Sequence, residues 1–406
     1  MVSKDIPSAN IGIFGHVDHG KTTLTQILTG KFTDEHSEEL KRGISIRLGY
    51  ADLSVRKCPK CEGSKAYTTF PKCFYCGSDT ELLRTVSIID VPGHETLLAT
   101  VLTGTALIDG AILVIAANEP CPQPQTVEHL TALEIAGIKN IIIVQNKIDL
   151  VSKERALESY KEIKEFVKGT VAENAPIIPI SAHHNVNVDV ILEAIEKYIP
   201  TPKRDETKPP IMYVARSFDV NKPGTLIDKL VGGVLGGAVA QGVFKKGDEI
   251  EIRPGIKKGE DYVPVKTKIT SLHQSKQEID KARPGGLIAV GTQLDPFFTK
   301  SDAMVGNVVT LPENAPPIRR ELLLDLHIIE RILENNQKIH AQIQRGDVVL
   351  MNVGTARTIG VCVDANKGKA TFKLKLPIAA YKGERVVLSK QIEGRWRLIG
   401  YGVIDE

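Results

Sequence analysis

The chain has 406 residues, 52 Lys and Arg against 49 Asp and Glu for a formal net charge of +3, and 42% hydrophobic content beside 25% charged residues. That length exceeds one ordinary core and predicts two to four domains of soluble folded protein, while the near-balanced charge neither requires nor excludes a polyanionic partner. No run reaches 18 consecutive apolar residues and residues 1–10 lack the basic-then-apolar profile of a signal peptide, so a membrane partner is not expected and a cytoplasmic location is.

In chain order, the strand-like run 10–14 is followed by Gly15-His16-Val17-Asp18-His19-Gly20-Lys21-Thr22, which satisfies G-x-x-x-x-G-K-[ST]. Such a loop lets backbone amides from Val17, Asp18, His19, Gly20 and onward to Thr23 approach phosphate oxygens, with Lys21 as a point charge and Thr22 as a Mg²⁺ ligand. Residues 30–49 are poor in strand signals; Ser45, in Arg42-Gly43-Ile44-Ser45-Ile46, is the candidate second hydroxyl for Mg²⁺, and a plain surface loop is the rival reading. Cys58-Pro59-Lys60-Cys61 and Cys73-Phe74-Tyr75-Cys76 then form two C-x-x-C knuckles whose spacing suits a structural Zn²⁺ held by Cys58, Cys61, Cys73 and Cys76. Two disulfides are the alternative; the two remaining thiols, Cys121 and Cys362, favour a reducing compartment.

The strand at 86–90 leads into Asp90-Val91-Pro92-Gly93, where Asp90 would hold Mg²⁺ through water and the Gly93 amide would meet a γ-phosphate. His94 follows and is placed to orient an attacking water, with Asp18 a second candidate for that task. Strands are predicted at 110–116, 140–144 and 176–180, with a surface helix over 152–169 burying Ala156, Tyr160, Ile163 and Val167. Asn146-Lys147-Ile148-Asp149 follows one strand, and the Asp149 carboxylate is suited to accept both the N1 and N2 hydrogens of guanine. Ser181, Ala182 and His183 follow the next, where a backbone amide would reach guanine O6. Strands alternating with helices up to about residue 200 predict a doubly wound, mostly parallel α/β sheet.

The Pro-rich polar run 200–210 reads as a linker, after which glycine-punctuated alternating strands replace helical periodicity. A second polar break at 312–317 separates two such segments. The expected plan is a nucleotide-binding domain over 1–203 with a knuckle insert at about 56–79, then β-barrels over 204–313 and 314–406. Arg216 and Phe218 are read as alternate faces of a strand, and Arg395-Trp396-Arg397 as either a nucleic-acid contact or a barrel-core tryptophan with solvated arginines.

Taken together, these strings resemble the translational GTPases, and the phosphate loop with Asp90-Val91-Pro92-Gly93-His94-Glu95 looks like the elongation factor Tu group. That family carries threonine where Ser45 stands. The cysteine insert, with Ala116-Ala117-Asn118-Glu119-Pro120, Gln123-Pro124-Gln125-Thr126 and Arg216-Ser217-Phe218-Asp219-Val220-Asn221-Lys222-Pro223-Gly224-Thr225, is similar to the γ-subunit family of archaeal and eukaryotic translation initiation factor 2. The resemblance is weakest over residues 326–344. It implies a GTP-dependent carrier of methionylated initiator tRNA, assembled with α and β subunits and delivering its cargo to the small ribosomal subunit with mRNA. GTP/GDP, Mg²⁺ and Zn²⁺ are the implied cofactors, and hydrolysis is expected to be slow until a GTPase-activating factor or the ribosome stimulates it. An elongation-type or selenocysteine-specific GTPase, or an inert GTP-binding scaffold, are the competing readings.

Overall fold

A computed structural model describes residues 4–33, 48–94, 97–259, 261–275, 277–332, 338–340, 342–392 and 394–405, with the backbone alone at 227, 330–332 and 338–340. The chain divides into two compact units, Met1–Pro202 and Lys203–Glu406.

The first unit is built on a seven-stranded sheet. Its strands are β1 (Pro7–Gly15), β2 (Gly49–Lys57), β3 (Tyr67–Thr68), β4 (Glu81–Asp90), β5 (Gly110–Ala116), β6 (Ile141–Asn146) and β7 (Ile177–Pro179), in the order β3-β2-β4-β1-β5-β6-β7. The five strands from β4 to β7 run parallel, whereas β2 and β3 are antiparallel additions at one edge. Five helices accompany them: α1 (Lys21–Thr29), α2 (Leu98–Thr105), α3 (Pro124–Ala136), α4 (Lys153–Val167) and α5 (Val188–Tyr198). Covered on both faces, the parallel strands read as unbroken apolar runs, and every residue of β5 is buried.

Local chemistry ends these helices where the sequence says. Proline opens α3, and Gly137 closes it in the left-handed region with its amide on Glu134 O and the Ile138 amide on Leu133 O, a Schellman arrangement. Ser152 caps α4 by accepting from the Arg155 amide at 3.3 Å. The buried face of α4 is Ser159, Ile163 and Val167, and Tyr160 is 39% exposed. Ile163 and Val167 are thus buried as predicted, whereas Ala156 is only partly buried and Ser159 takes the inward place expected of Tyr160.

In the second unit, β8 (Ile211–Phe218), β9 (Val234–Gln241), β11 (Glu249–Lys258), β12 (Asp261–Gln274), β15 (Leu287–Thr292) and β16 (Val308–Thr310) close into a barrel around Met212, Leu235, Ile250, Leu272 and Val290. The short strands β10 (Phe244–Lys245), β13 (Gln277–Glu278) and β14 (Lys281–Ala282) fringe it. A second closed barrel is formed by β17 (Ile318–Ile328), β20 (Val348–Val353), β21 (Ala356–Asn366), β22 (Lys369–Ala379), β23 (Arg385–Ile392) and β24 (Arg395–Ile404) around Leu322, Met351, Phe372 and Leu388. Beyond β17, a small ladder pairs β18 (Glu330–Ile332) with β19 (Lys338–His340). Arg216 bonds Asp302 at 2.9 Å, which fixes it as a structural ion pair within this unit. Trp396 is partly buried on β24, between exposed Arg395 and partly buried Arg397.

Candidate functional site

The phosphate loop starts where β1 leaves the sheet. Gly15 adopts φ 143°, and a Cβ there would lie 2.3 Å from the Val114 carbonyl oxygen, so only glycine fits the exit. Asp18 and Gly20 follow in the left-handed region at φ 61° and 91°, and Lys21 begins α1. This αL-rich turn points successive amides inward, the geometry of an anion-binding nest at a helix N-terminus.

Buried histidines hold the loop from below. The Gly15 amide donates to His129 Nδ1 at 2.8 Å, which requires a neutral ring, and His129 lies edge-on to Phe14. Burial, then the neighbouring Lys21 charge, pulls its pKa down to about 3. His19 donates Nδ1–H to Val114 O at 3.1 Å and places Nε2 3.3 Å from the Glu119 carboxylate. Burial outweighs the upward pull of both oxygens and brings its pKa to about 4. The His19 ring is therefore a support beneath the loop. Neither His129 nor Glu119 was identifiable from motif spacing.

Lys21 is almost wholly buried and its Nζ donates to His16 O at 2.6 Å, closing the loop on itself. Gly93 packs directly against that closure: a Cβ at this position would meet Lys21 Nζ at 2.4 Å and Val17 N at 2.9 Å. The segment after β4 thus touches the phosphate loop with no room for a methyl group. Thr22 Oγ1 donates to Asp90 Oδ2 at 2.8 Å, and Thr33 Oγ1 donates to the same oxygen at 2.8 Å. Two hydroxyls and a carboxylate converging at the end of β4 are a hard-oxygen set of the type Mg²⁺ selects. Thr33 was missed because nothing in its neighbours marks it. His94 is half-buried beside Gly93, Asp18 is exposed, and the Ser45 prediction lies outside the described residues, as does Glu95.

The loops after β6 and β7 join the same centre. Asn146 Nδ2 donates to His19 O at 2.9 Å while its Oδ1 accepts from the Ala182 amide at 3.0 Å, so one side chain ties the phosphate loop to the 181–187 turn. A Cβ on Gly20 would lie 2.3 Å from Asn146 Nδ2. The Ala182 amide is consequently engaged within the protein, and the turn closes on itself through the His184 amide on Ser181 Oγ, the Asn185 amide on Ala182 O and the Val186 amide on Ser181 O. Lys147 takes φ 62°, and Asp149 follows with its side chain 24% exposed. A hydrogen bond from Ser181, aided by His184 and His183, holds the Asp149 carboxyl below the usual range, so it is an anionic acceptor at neutral pH. His184 Nε2 lies 3.7 Å from Asp149 Oδ2 and the His183 ring stacks edge-on against His184.

A second constellation lies at the far end of β2. The Sγ atoms of Cys58, Cys61, Cys73 and Cys76 all fall within 4.8 Å of one another, with Cys58–Cys76 at 3.4 Å and Cys61–Cys73 at 3.7 Å. Four thiolates at Zn–S bonds of about 2.3 Å stand about 3.8 Å apart in a regular tetrahedron, so the cluster is sized for zinc. All four cysteines are free, which removes the disulfide alternative. Hydrogen bonds from Ser78 bring the Cys76 thiol down to about 6, whereas hydrogen bonding to Cys76, then burial and the other cysteines, pushes that of Cys61 up to about 12, so the cluster's sulfurs ionise unequally.

Comparison with known proteins agrees with this geometry. Residues 6–201 match the family described as elongation factor Tu GTP binding domain, residues 232–310 match elongation factor Tu domain 2, and residues 320–404 match initiation factor eIF2 gamma, C terminal. The first of these implies GTP/GDP and Mg²⁺ as ligands. Translation initiation factor 2 subunit gamma of Methanocaldococcus jannaschii is 61% identical over 401 residues, covering 98% of this chain and 97% of that protein. Its counterpart in Pyrococcus horikoshii is 59% identical over 402 residues with the same coverage. Among solved structures, translation elongation factor SelB from Methanococcus maripaludis in complex with the GTP analogue GppNHp superposes with a TM-score of 0.75 at 23% identity, over 99% of this chain and 80% of that one. At that identity the likeness bears on the fold alone. Among the described residues no helix is long and apolar enough to cross a membrane.

Proposed function

The chain belongs to the translation initiation factor 2 subunit gamma family, a family of GTPases, and from that membership we propose that it binds methionylated initiator tRNA in its GTP form and delivers it to the small ribosomal subunit. Hydrolysis is the release switch, α and β subunits are its companions, and an activating factor accelerates the reaction. What carries this reading is near-full-length identity of 61% joined to a first unit in which the phosphate loop is bonded to Asp90 and Asn146 and is packed against Gly93. The elongation-type and selenocysteine-specific alternatives have weaker support, since the SelB likeness stands at 23%.

In this proposal Lys21 and the amides of Val17, Asp18, His19, Gly20, Thr22 and Thr23 receive the phosphates. Thr22 and Ser45 would ligate Mg²⁺ and Asp90 would hold it through water, and the ion would supply charge neutralisation on the triphosphate. Asp149 accepts two guanine hydrogens, Lys147 flanks the base, and the turn of Ser181, Ala182 and His183 completes its pocket. Gly93 donates its amide to the γ-phosphate and, because it lies against Lys21 and Val17 without slack, moves when that contact is lost. His94 orients the water that attacks, with Asp18 shaping the loop beside it. The four cysteines hold a structural Zn²⁺ with no open position for substrate.

The test is binding of labelled methionylated initiator tRNA to the chain assembled with its α and β subunits, with GDP against a non-hydrolysable GTP analogue. Tight binding only with the analogue, and a preference over elongator aminoacyl-tRNAs, is expected. Equal retention with both nucleotides, or equal binding of elongator tRNAs, would overturn it.

A further inference from the structure

The surface of the four-cysteine knuckle is unlike the rest of the chain. A loop of about twenty residues cannot bury its own side chains, and here it displays aromatic ones: Phe70 is 65% exposed, Tyr75 53% and Phe74 88%. Phe74 is the most exposed large apolar side chain among the described residues. Three aromatics held in water at the tip of the loop exceed what a small domain needs for folding, since the four-cysteine cluster and Ala66 already form its interior.

Charge and orientation say what would cover them. Lys57, Lys60, Lys65 and Lys72 are exposed on the same loop, against Glu62 and Asp79. Lys65 Nζ lies 5.7 Å from the centre of the Tyr75 ring and Lys57 Nζ lies 5.4 Å from that of Tyr67, so ammonium groups already flank aromatic faces. Phe74 and Tyr75 meet edge to face at 5.5 Å and 89°, so their ring faces look in perpendicular directions. A flat apolar protein partner would be met by parallel or clustered side chains with an uncharged centre; separated ring faces interleaved with ammonium groups match successive bases and phosphates of a single strand. The knuckle is rigidly mounted, because the turn Gly63–Ala66 and β3 pack on α5.

We propose that the knuckle is a single-stranded RNA-binding site in which Phe74 and Phe70 stack on bases and Lys60 and Lys65 contact the backbone. The site is separate from the guanine-nucleotide centre and stands whether or not the chain carries initiator tRNA.

The experiment uses the full chain, a fluorescein-labelled 12-nucleotide oligouridine and the matching RNA duplex, read by anisotropy, together with 4-thiouridine crosslinking and peptide mapping. Crosslinks are expected in the peptide containing Phe70, Phe74 and Tyr75. Phe74→Ala should weaken single-strand binding about 5- to 150-fold, the range of one lost base stack. Lys60→Ala/Lys65→Ala should flatten the salt dependence by roughly 1.4 in log–log slope, since each phosphate contact on a single strand contributes about 0.7. Both variants alter exposed side chains, and unchanged zinc content and GDP affinity verify that the fold is intact. Crosslinks confined to other peptides, equal affinity for duplex, or a Phe74→Ala variant that binds like the parent would each overturn the assignment; capture of a protein through this loop in place of RNA would do so as well.

Discussion

Gly20 and Asn146 make a quantitative prediction, because they compete for the same space. Alanine at Gly20 must adopt φ 91°, costing about 1–2 kcal/mol in the left-handed region, and its Cβ would fall 2.3 Å from Asn146 Nδ2. The amide must then swing away from both partners, His19 O and the Ala182 amide. Each buried group left unsatisfied costs about 1–3 kcal/mol, so the collision adds about 2–6 kcal/mol to the backbone strain. Asn146→Ala breaks the same two bonds and should cost a similar 2–6 kcal/mol. In the double variant the methyl group meets empty space, and the bonds have already gone. Its stability should therefore lie only about 1–2 kcal/mol below Asn146→Ala, giving a coupling of several kcal/mol in a double-mutant cycle. Scanning calorimetry of the four proteins reads this as melting temperatures, at about 2–4 °C per kcal/mol for a unit of this size, and GDP titrations read it as affinity. Additive losses, within about 0.5 kcal/mol, would show that Asn146 does not bridge the loops as described.

Acid should destabilise the first unit through its buried histidines. His19 and His129 have folded pKa values of about 4 and 3, below the unfolded 6.5, so their contribution is complete above pH 6.5 and is lost as pH falls toward those values. The slope approaches about 1.4 kcal/mol per pH unit for each ring, and His129→Asn, which keeps an acceptor for the Gly15 amide, should melt with a shallower pH dependence; identical profiles would refute the assignment. Metal analysis should find one zinc per chain, lost in Cys58→Ser, and cobalt-substituted protein should show thiolate-to-metal charge-transfer absorption. Thiol reactivity indifferent to chelator would rule the site out. Asp149→Asn should weaken GDP binding by about 100-fold or more, two charge-assisted bonds at about 1.5–3 kcal/mol each, while xanthosine diphosphate gains; an unchanged guanine-to-xanthine ratio would disprove the base contact.

What the sequence disclosed and what it hid divide along a physical line. The phosphate loop, the Asp90-to-Gly93 turn, the Asn146-to-Asp149 string and the paired C-x-x-C knuckles were legible because each chemistry needs several residue types at fixed short spacing. The strand at 110–116 was also readable, since a strand covered on both faces has no polar interruption. His129, Glu119 and Thr33 were not, because tertiary packing recruits them across 57 to 114 residues and nothing local marks them. The Ala182 amide shows a subtler limit: the motif marks the turn, but not that a side chain two strands' connections away would occupy its first donor. For α4, periodicity located the helix and the inward Ile163 and Val167 but placed Tyr160 where Ser159 is buried, since spacing alone does not separate adjacent positions near the edge of a helix face.

One strand joins the two constellations. β2 pairs Gly49 with Asp90 at one end and Lys57 with Glu81 at the other, one residue short of Cys58, a span of roughly 27 Å at about 3.4 Å per residue. A hydrogen-bonded rod of that length scarcely stretches, so whatever anchors its cysteine end also sets the position of the backbone beside the Asp90 carboxylate. The carboxylate proposed for magnesium and the cysteine loop are thus set at opposite ends of one β2–β4 ladder, whose pairing shifts register between Val55 and Arg56.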